Sequence, residues 1–128
     1  MSVKPYDIVL VRTDVSQRYG EPGYEMLHPR PAPRRDRMAR RAGVKLIGID
    51  TWGIDRPFDL MAEEARAGDD AQLWESHKFG ADEEYLQIEK LANLAALPRP
   101  FGFQVLALPV HLERASGAWA RVVALVPR

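Results

Sequence analysis

Four aliphatic residues in a row, Ile8 to Val11, sit inside residues 7–13 (DIVLVRT) with polar neighbours on both sides. A run this short, rich in β-branched side chains and without helical spacing, predicts a buried strand. Residues 14–33 then carry Gly20, Pro22, Gly23, Pro29, Pro31 and Pro33, a density that forbids long regular elements and predicts a long loop. Loops beyond about 12–15 residues are uncommon unless functional or disordered, so this one is expected to close over a pocket or a partner. Residues 34–42 (RRDRMARRA) follow Pro33, a good first-turn residue, and stop at Gly43, a good C-terminal cap; a short helix is expected there. Residues 44–50 (VKLIGID) form a second apolar run. Strand, helix and strand in this order predict a right-handed βαβ crossover with parallel pairing. Asp50 then falls at a strand's carboxyl end, where α/β folds place ligand crevices and where turn-capping aspartates also occur.

After the turn-rich TWGIDRP, residues 58–67 have helical spacing and end at Gly68. Residues 103–112 and 119–126 read as strands joined across RASGA, an antiparallel hairpin. No internal repeat or low-complexity segment interrupts the pattern. The expected fold class is α/β: a mixed sheet with a βαβ unit, a C-terminal antiparallel hairpin and two or three helices, in a single domain spanning residues 1–128.

Composition narrows the function classes. With 128 residues, 46% of them hydrophobic, the chain can bury the core of one ordinary domain. Eighteen basic and eighteen acidic residues cancel, so no global field draws it to nucleic acid or to an anionic membrane. The five arginines of residues 34–42 surround Met38 and Ala39 and are read as a solvated or salt-bridged face. Near-zero net charge also lowers colloidal solubility, which favours association. The absence of cysteine excludes disulfides, thiolate ligands and a Cys nucleophile. No apolar run approaches the roughly 20 residues that span a bilayer, and the N-terminal residues have no signal-like apolar core, so a cytoplasmic location is expected.

The candidate chemistry lies in residues 74–97 (WESHKFGADEEYLQIEKLANLAAL). His77 is followed by Gln87 and Glu89, two residues apart and on one face of an extended backbone. Neutral imidazole with carboxylate is what a borderline divalent ion such as Zn²⁺ or Mn²⁺ accepts, and a Gln carbonyl can add a weak oxygen ligand. A catalytic metal usually has at least three protein ligands and an open position, so further ligands must come from elsewhere. The alternatives are a loop histidine bonded to backbone at His77 and a helix-surface carboxylate at Glu89; burial of Leu86 and Ile88 on the opposite face favours a strand. His28, in HPRP, reads as a loop residue, and His111, between Val110 and Leu112, as a solvent-facing one. Trp52 and Trp119 read as core or interface aromatics, with Trp52 beside Asp50 also placed to wall an aromatic pocket.

The succession DIVLVRT, GVKLIGID, WESHKFG, EYLQIEKLANLAALP, GFQVLALPVHL and GAWARVVALV resembles the C-terminal half of the metal-dependent cyclase and kynurenine formamidase family, in particular its isatin hydrolase-like branch. The resemblance covers nearly the whole chain in order. It implies a partial fold of the swivelling β/β/α type and metal-dependent hydrolysis of an aryl or cyclic amide, of the N-formylkynurenine or isatin kind. In that family a His and a Glu about a dozen residues apart lie at the metal site, and His77 and Glu89 are twelve apart. Gln87 matches a Gln two residues before that Glu. The resemblance therefore carries over Gln87 and Glu89 as metal ligands and His77 as ligand or proton-transfer group.

The family's HxGTHxDxPxH string, which supplies most ligands and the catalytic histidine, does not occur in this sequence, whose only histidines are His28, His77 and His111. Three classes follow: a metal-dependent amide hydrolase, a subunit of a split hydrolase completed by a chain carrying the N-terminal half, and a non-catalytic relative that binds or scaffolds. The ligand count predicts that the chain is inactive alone. A family-like sheet without its first strands would leave an unpaired edge beside Val9 and Leu10, so a homo-oligomer or a complementary partner chain is expected.

Overall fold

The computed structural model describes residues 3–28 and 42–127. Strand β1 (Ile8–Val11), strand β2 (Leu46–Ile49), helix α1 (Phe58–Arg66), helix α2 (Glu75–Asp82) and strand β3 (Leu86–Ile88) follow in order, and then β4 (Gln104–Pro109) and β5 (Ala120–Leu125). The chain divides into two compact units, Met1–Ala92 and Asn93–Arg128.

In the first unit β1, β2 and β3 form a parallel sheet in that order, with Ile8 opposite Leu46, Val11 opposite Ile49, and Gly48 opposite both Leu10 and Ile88. The expected α/β class with parallel crossovers is thus realised, the α1–α2 pair forming the connection between β2 and β3. The helix expected over residues 34–42 lies outside the described residues except for Ala42. Between them, two short 3₁₀ turns, Val15–Arg18 and Tyr24–Met26, organise the loop that follows β1.

Central strand β2 carries the core. Ile47 and Ile49 are buried, and Val44, Ile47 and Tyr85 pack with Val9, Val11, Ile54 and Phe79 around them. Gly48 is required by close approach: a Cβ there would lie 2.6 Å from Leu91 Cδ1 and 2.9 Å from Leu10 Cδ2. Met61 of α1 is 2% exposed and completes the burial on that helix. Helix α1 carries Asp59 in its first turn and Arg66 in its last, both signs complementing the backbone dipole. Arg56 reaches Glu64 of α1 with two 2.6 Å bonds, fastening the loop before the helix to its second turn.

Asp50, 1% exposed, ends β2 as a tie between two loops. It accepts the Thr13 backbone N–H at 2.8 Å and hydroxyl at 2.6 Å, and the Asp14 N–H at 2.9 Å. Of the two sequence readings for Asp50, the structure adopts the capping one.

The second unit is the expected hairpin: β4 and β5 pair antiparallel from Gln104–Leu125 to Pro109–Ala120. None of its described residues is buried. Trp119, expected to be a core or interface aromatic, is 80% exposed, and Trp52 in the first unit is 46% exposed, so neither lies in the core. His111 is exposed, as its pattern suggests, but lies beyond the end of β4.

Candidate functional site

Parallel strands deliver their following loops to one end of a sheet, which is where α/β folds build crevices. Here the carboxyl end of β1 leads to His28, that of β2 to Gly53, Ile54 and Asp55, and that of β3 directly to Glu89. The chain turns sharply just after Glu89, at Lys90 with φ of 56°, while the Lys90 and Leu91 N–H groups donate to the Thr51 and Ile49 carbonyls. Glu89 is therefore held at a strand end and not on a helix face. Its Oε1 accepts the Ile54 N–H at 2.8 Å and stands 4.0 Å from His77 Nε2.

His77 lies in the first turn of α2 and not in a loop. Its Nδ1 is 2.6 Å from Asp55 Oδ2, whose side chain is almost wholly buried. The same carboxylate accepts the Ser76 N–H at 2.6 Å and the His77 N–H at 3.3 Å. These are orphan amides at the start of α2, because Trp74, the residue before the helix, has a left-handed backbone and makes no side-chain cap bond. Asp55 thus caps a helix that begins some twenty residues downstream of it. The Trp74 ring meets the His77 ring edge-on at 4.8 Å and Phe58 at 5.8 Å, an aromatic flank on which Phe58 and Trp74 remain open to solvent.

Gln87 is in β3, and its amide donates to the Ser76 carbonyl at 3.2 Å and to the Tyr85 hydroxyl. Tyr85 in turn donates to the same Ser76 carbonyl at 2.8 Å. The structure thus brings His77 and Glu89 face to face, while the Gln87 amide nitrogen is directed at the first turn of α2.

Two participants escaped the sequence reading. Asp55 is the first; the second is His28, read as an ordinary loop residue. It is indeed in a loop, but its Nε2 is buried with no hydrogen-bond partner among the described residues. Burial pushes its imidazole below the ordinary value, against the opposing pull of the Glu25 and Asp55 backbone and of the Glu89 and Asp55 charges. Gly53 lies beside both Glu89 and His28: a Cβ on it would be 3.4 Å from Glu89 Oε1 and 3.7 Å from His28 Cε1. Behind this site Tyr24, buried and in edge contact with Trp52 at 6.2 Å, has its hydroxyl pushed up by burial and by the nearby Asp50 charge. Lys90 Nζ sits 4.2 Å over the Trp52 ring.

Imidazole nitrogen and carboxylate oxygen are the right donor types for a divalent metal. Their number is too small. Among the described residues no group of three or more His, Cys, Asp or Glu side chains could hold an ion. No helix among them is long and apolar enough to cross a membrane.

Comparison with known proteins agrees with this architecture. Residues 1–56 match the sequence model of the Cyclase family, described as "Putative cyclase". A search of curated protein sequences finds no match. Among solved structures, an isatin hydrolase bound to the product analogue thioisatinate superposes with a TM-score of 0.78 over 99% of this chain, at 23% sequence identity. The chain spans about half of that protein, 48% of its length. Residues 1–56 are thus similar in sequence to the Cyclase family, and nearly the whole chain shares its fold with half of an isatin hydrolase.

Proposed function

We propose that the chain supplies one side of the metal site of an amide hydrolase acting on an aryl or cyclic amide of the isatin or N-formylkynurenine type. His77, Gln87 and Glu89 are its contribution to a Zn²⁺ or Mn²⁺ ion. The observation that carries this reading is the convergence of His77 Nε2 and Glu89 Oε1 to 4.0 Å at the carboxyl end of a parallel sheet. Gln87 supports it from β3: its amide nitrogen is engaged, so the carbonyl oxygen is the atom it would turn to a metal. His28, with an orphaned ring nitrogen, borders the same space. The shared fold with an isatin hydrolase supports the substrate class.

Among the described residues too few donors are present to hold a catalytic metal with an open position, so no reaction step is assigned to the metal in this chain alone. The chain by itself is inactive and works with a second copy or a complementary chain that brings the remaining ligands. Zinc titration of the purified chain, with and without the Glu89→Ala substitution, tests the reading. Weak binding that is lost in the variant, without turnover of isatin or N-formylkynurenine, is expected. Zinc binding insensitive to Glu89, or metal-dependent turnover by the chain alone, would overturn it. The rival reading, a non-catalytic binding or scaffold protein, predicts no zinc binding at all.

A further inference from the structure

Asp55 belongs to no motif and lies in a turn-rich stretch, yet its carboxylate stands 2.6 Å from the ring of a site residue. A carboxylate can only accept hydrogen bonds, so an Nδ1 held 2.6 Å from Asp55 Oδ2 must carry the ring proton. In the neutral imidazole the lone pair then sits on Nε2, the nitrogen that faces Glu89. At 4.0 Å, Nε2 is beyond hydrogen-bond reach of that carboxylate, so no competing bond asks for the opposite tautomer. Asp55 itself cannot turn away. Its Oδ1 is fixed by the Ser76 N–H at 2.6 Å, and Oδ2 also receives the His77 N–H at 3.3 Å. One buried carboxylate therefore sets both the backbone start of α2 and the ring of the residue that the helix presents.

We propose that Asp55 is a positioning residue that holds His77 in the Nδ1–H tautomer, with the Nε2 lone pair presented to the site for a cation or a proton. The inference rests on the functional reading of His77 given above, but its geometry is independent of any metal. A carboxylate behind a histidine does the same in triads and in metal centres, where it fixes both ring angle and tautomer.

An asparagine at position 55 separates tautomer from fold. The Ser76 N–H, the shorter of the two backbone bonds, requires an oxygen, so the amide NH₂ group takes the place of Oδ2 and donates to Nδ1, at the loss of the 3.3 Å bond from the His77 N–H. The ring proton is then driven to Nε2. Long-range proton–nitrogen correlation spectra of the ¹⁵N-labelled 128-residue chain, metal-free and at about two pH units above the ordinary histidine value, read the tautomer directly. His77→Gln identifies its signals among the three histidines. The wild-type protein is expected to show the Nδ1–H form in about tenfold excess or more, as a charge-assisted bond implies. Asp55→Asn is expected to invert that ratio while the amide resonances of β1 to β3 stay in place.

A wild-type ring with its proton on Nε2, or an Asp55→Asn spectrum with an unchanged tautomer, would overturn the proposal. The wild-type measurement decides even if the variant fails to fold. Adding Zn²⁺ afterwards separates this inference from the functional reading: a correct tautomer with an Nε2 signal that zinc does not move refutes the metal site and leaves the positioning role standing.

Discussion

The parallel unit and the hairpin unit are made from equally apolar strands and end in opposite states. In β2 the residues Ile47 and Ile49 are 4% and 5% exposed, and Ile47 lies in a cluster with Val9 and Val11 of β1 and Phe79 of α2. In the hairpin the face that carries Leu106, Leu108, Val123 and Leu125 is open, with Leu108 58% exposed. The difference is one of layers. A sheet crossed by helices has something to bury itself against, whereas a two-stranded ribbon is marginal in water without a covering surface. Polar groups divide the same way: Asp50, Asp55 and Glu89 of the first unit are all bonded to backbone amides, so its interior is fixed by specific directional contacts as well as by burial. The part of the chain that holds the candidate site has a buried core, and the hairpin has an exposed apolar face.

The largest expected effect comes from breaking the side with the buried core. Ile47→Ala removes a buried side chain from the centre of the sheet and should destabilise by about 2–5 kcal/mol, a large share of the roughly 5–15 kcal/mol available to a small domain. Urea unfolding followed by Trp fluorescence measures it. Gly48→Ala is expected to act in the same direction, because a Cβ would sit 2.6 Å from Leu91 Cδ1. A shift below about 1 kcal/mol for Ile47→Ala would mean that the core of this unit does not centre on β2.

Next in size is the effect of charging the open face. Paired substitutions Leu106→Glu and Leu108→Glu should leave the unfolding midpoint of the first unit nearly unmoved, since these side chains are already exposed. Each buried leucine contributes about 1.5–3 kcal/mol to an interface, so self-association or partner binding should weaken about a hundredfold or more. Light scattering at micromolar concentration reads the outcome. A wild-type chain that is monodisperse at single-chain mass, unchanged by the paired substitution, would show that the hairpin face needs no cover; the edge of β1 beside Val9 and Leu10 would then be equally dispensable for association.

The strands were legible because uninterrupted aliphatic runs such as IVLV and LIGI have few other ways to fold. Helix α1 was legible from its spacing and its terminal Gly68. What the pattern of apolar residues could not convey is depth: Trp52 and Trp119 look like core residues by type and are exposed, because side-chain chemistry states a preference and only tertiary packing states the result. Within the site, His77 and Glu89 were visible as metal-binding residue types, and the resemblance to a family gave their spacing a meaning. Their actual supports were not visible. Asp55 acts on groups 21 and 22 residues away, and a cap supplied from outside the helix leaves no trace at the position where a Ser or Asp would be sought. His28 became notable only when the fold buried its ring nitrogen.

The smallest effect concerns the loop that holds Asp55. Arg56, its neighbour, grips Glu64 through two 2.6 Å bonds, and the hydrogen bond from Arg56 holds the Glu64 carboxyl below its ordinary value of 4.5. A carboxyl whose value is lower in the folded than in the unfolded chain contributes stability that is fully present above the unfolded value and is lost as the pH falls through the folded one. The pair is partly open to solvent, with the Glu64 side chain 41% exposed, so the contribution is small and screened by salt. Glu64→Gln should therefore lower stability slightly at neutral pH and match the wild type in acid, the two curves meeting below pH 4.5. Thermal melts across that range, repeated at high salt, provide the measurement. A difference that persists in acid would assign the loss to altered packing in α1 and not to the ion pair. Equal melts at every pH would show that the loop carrying Asp55 owes its order to the buried bonds of the site alone.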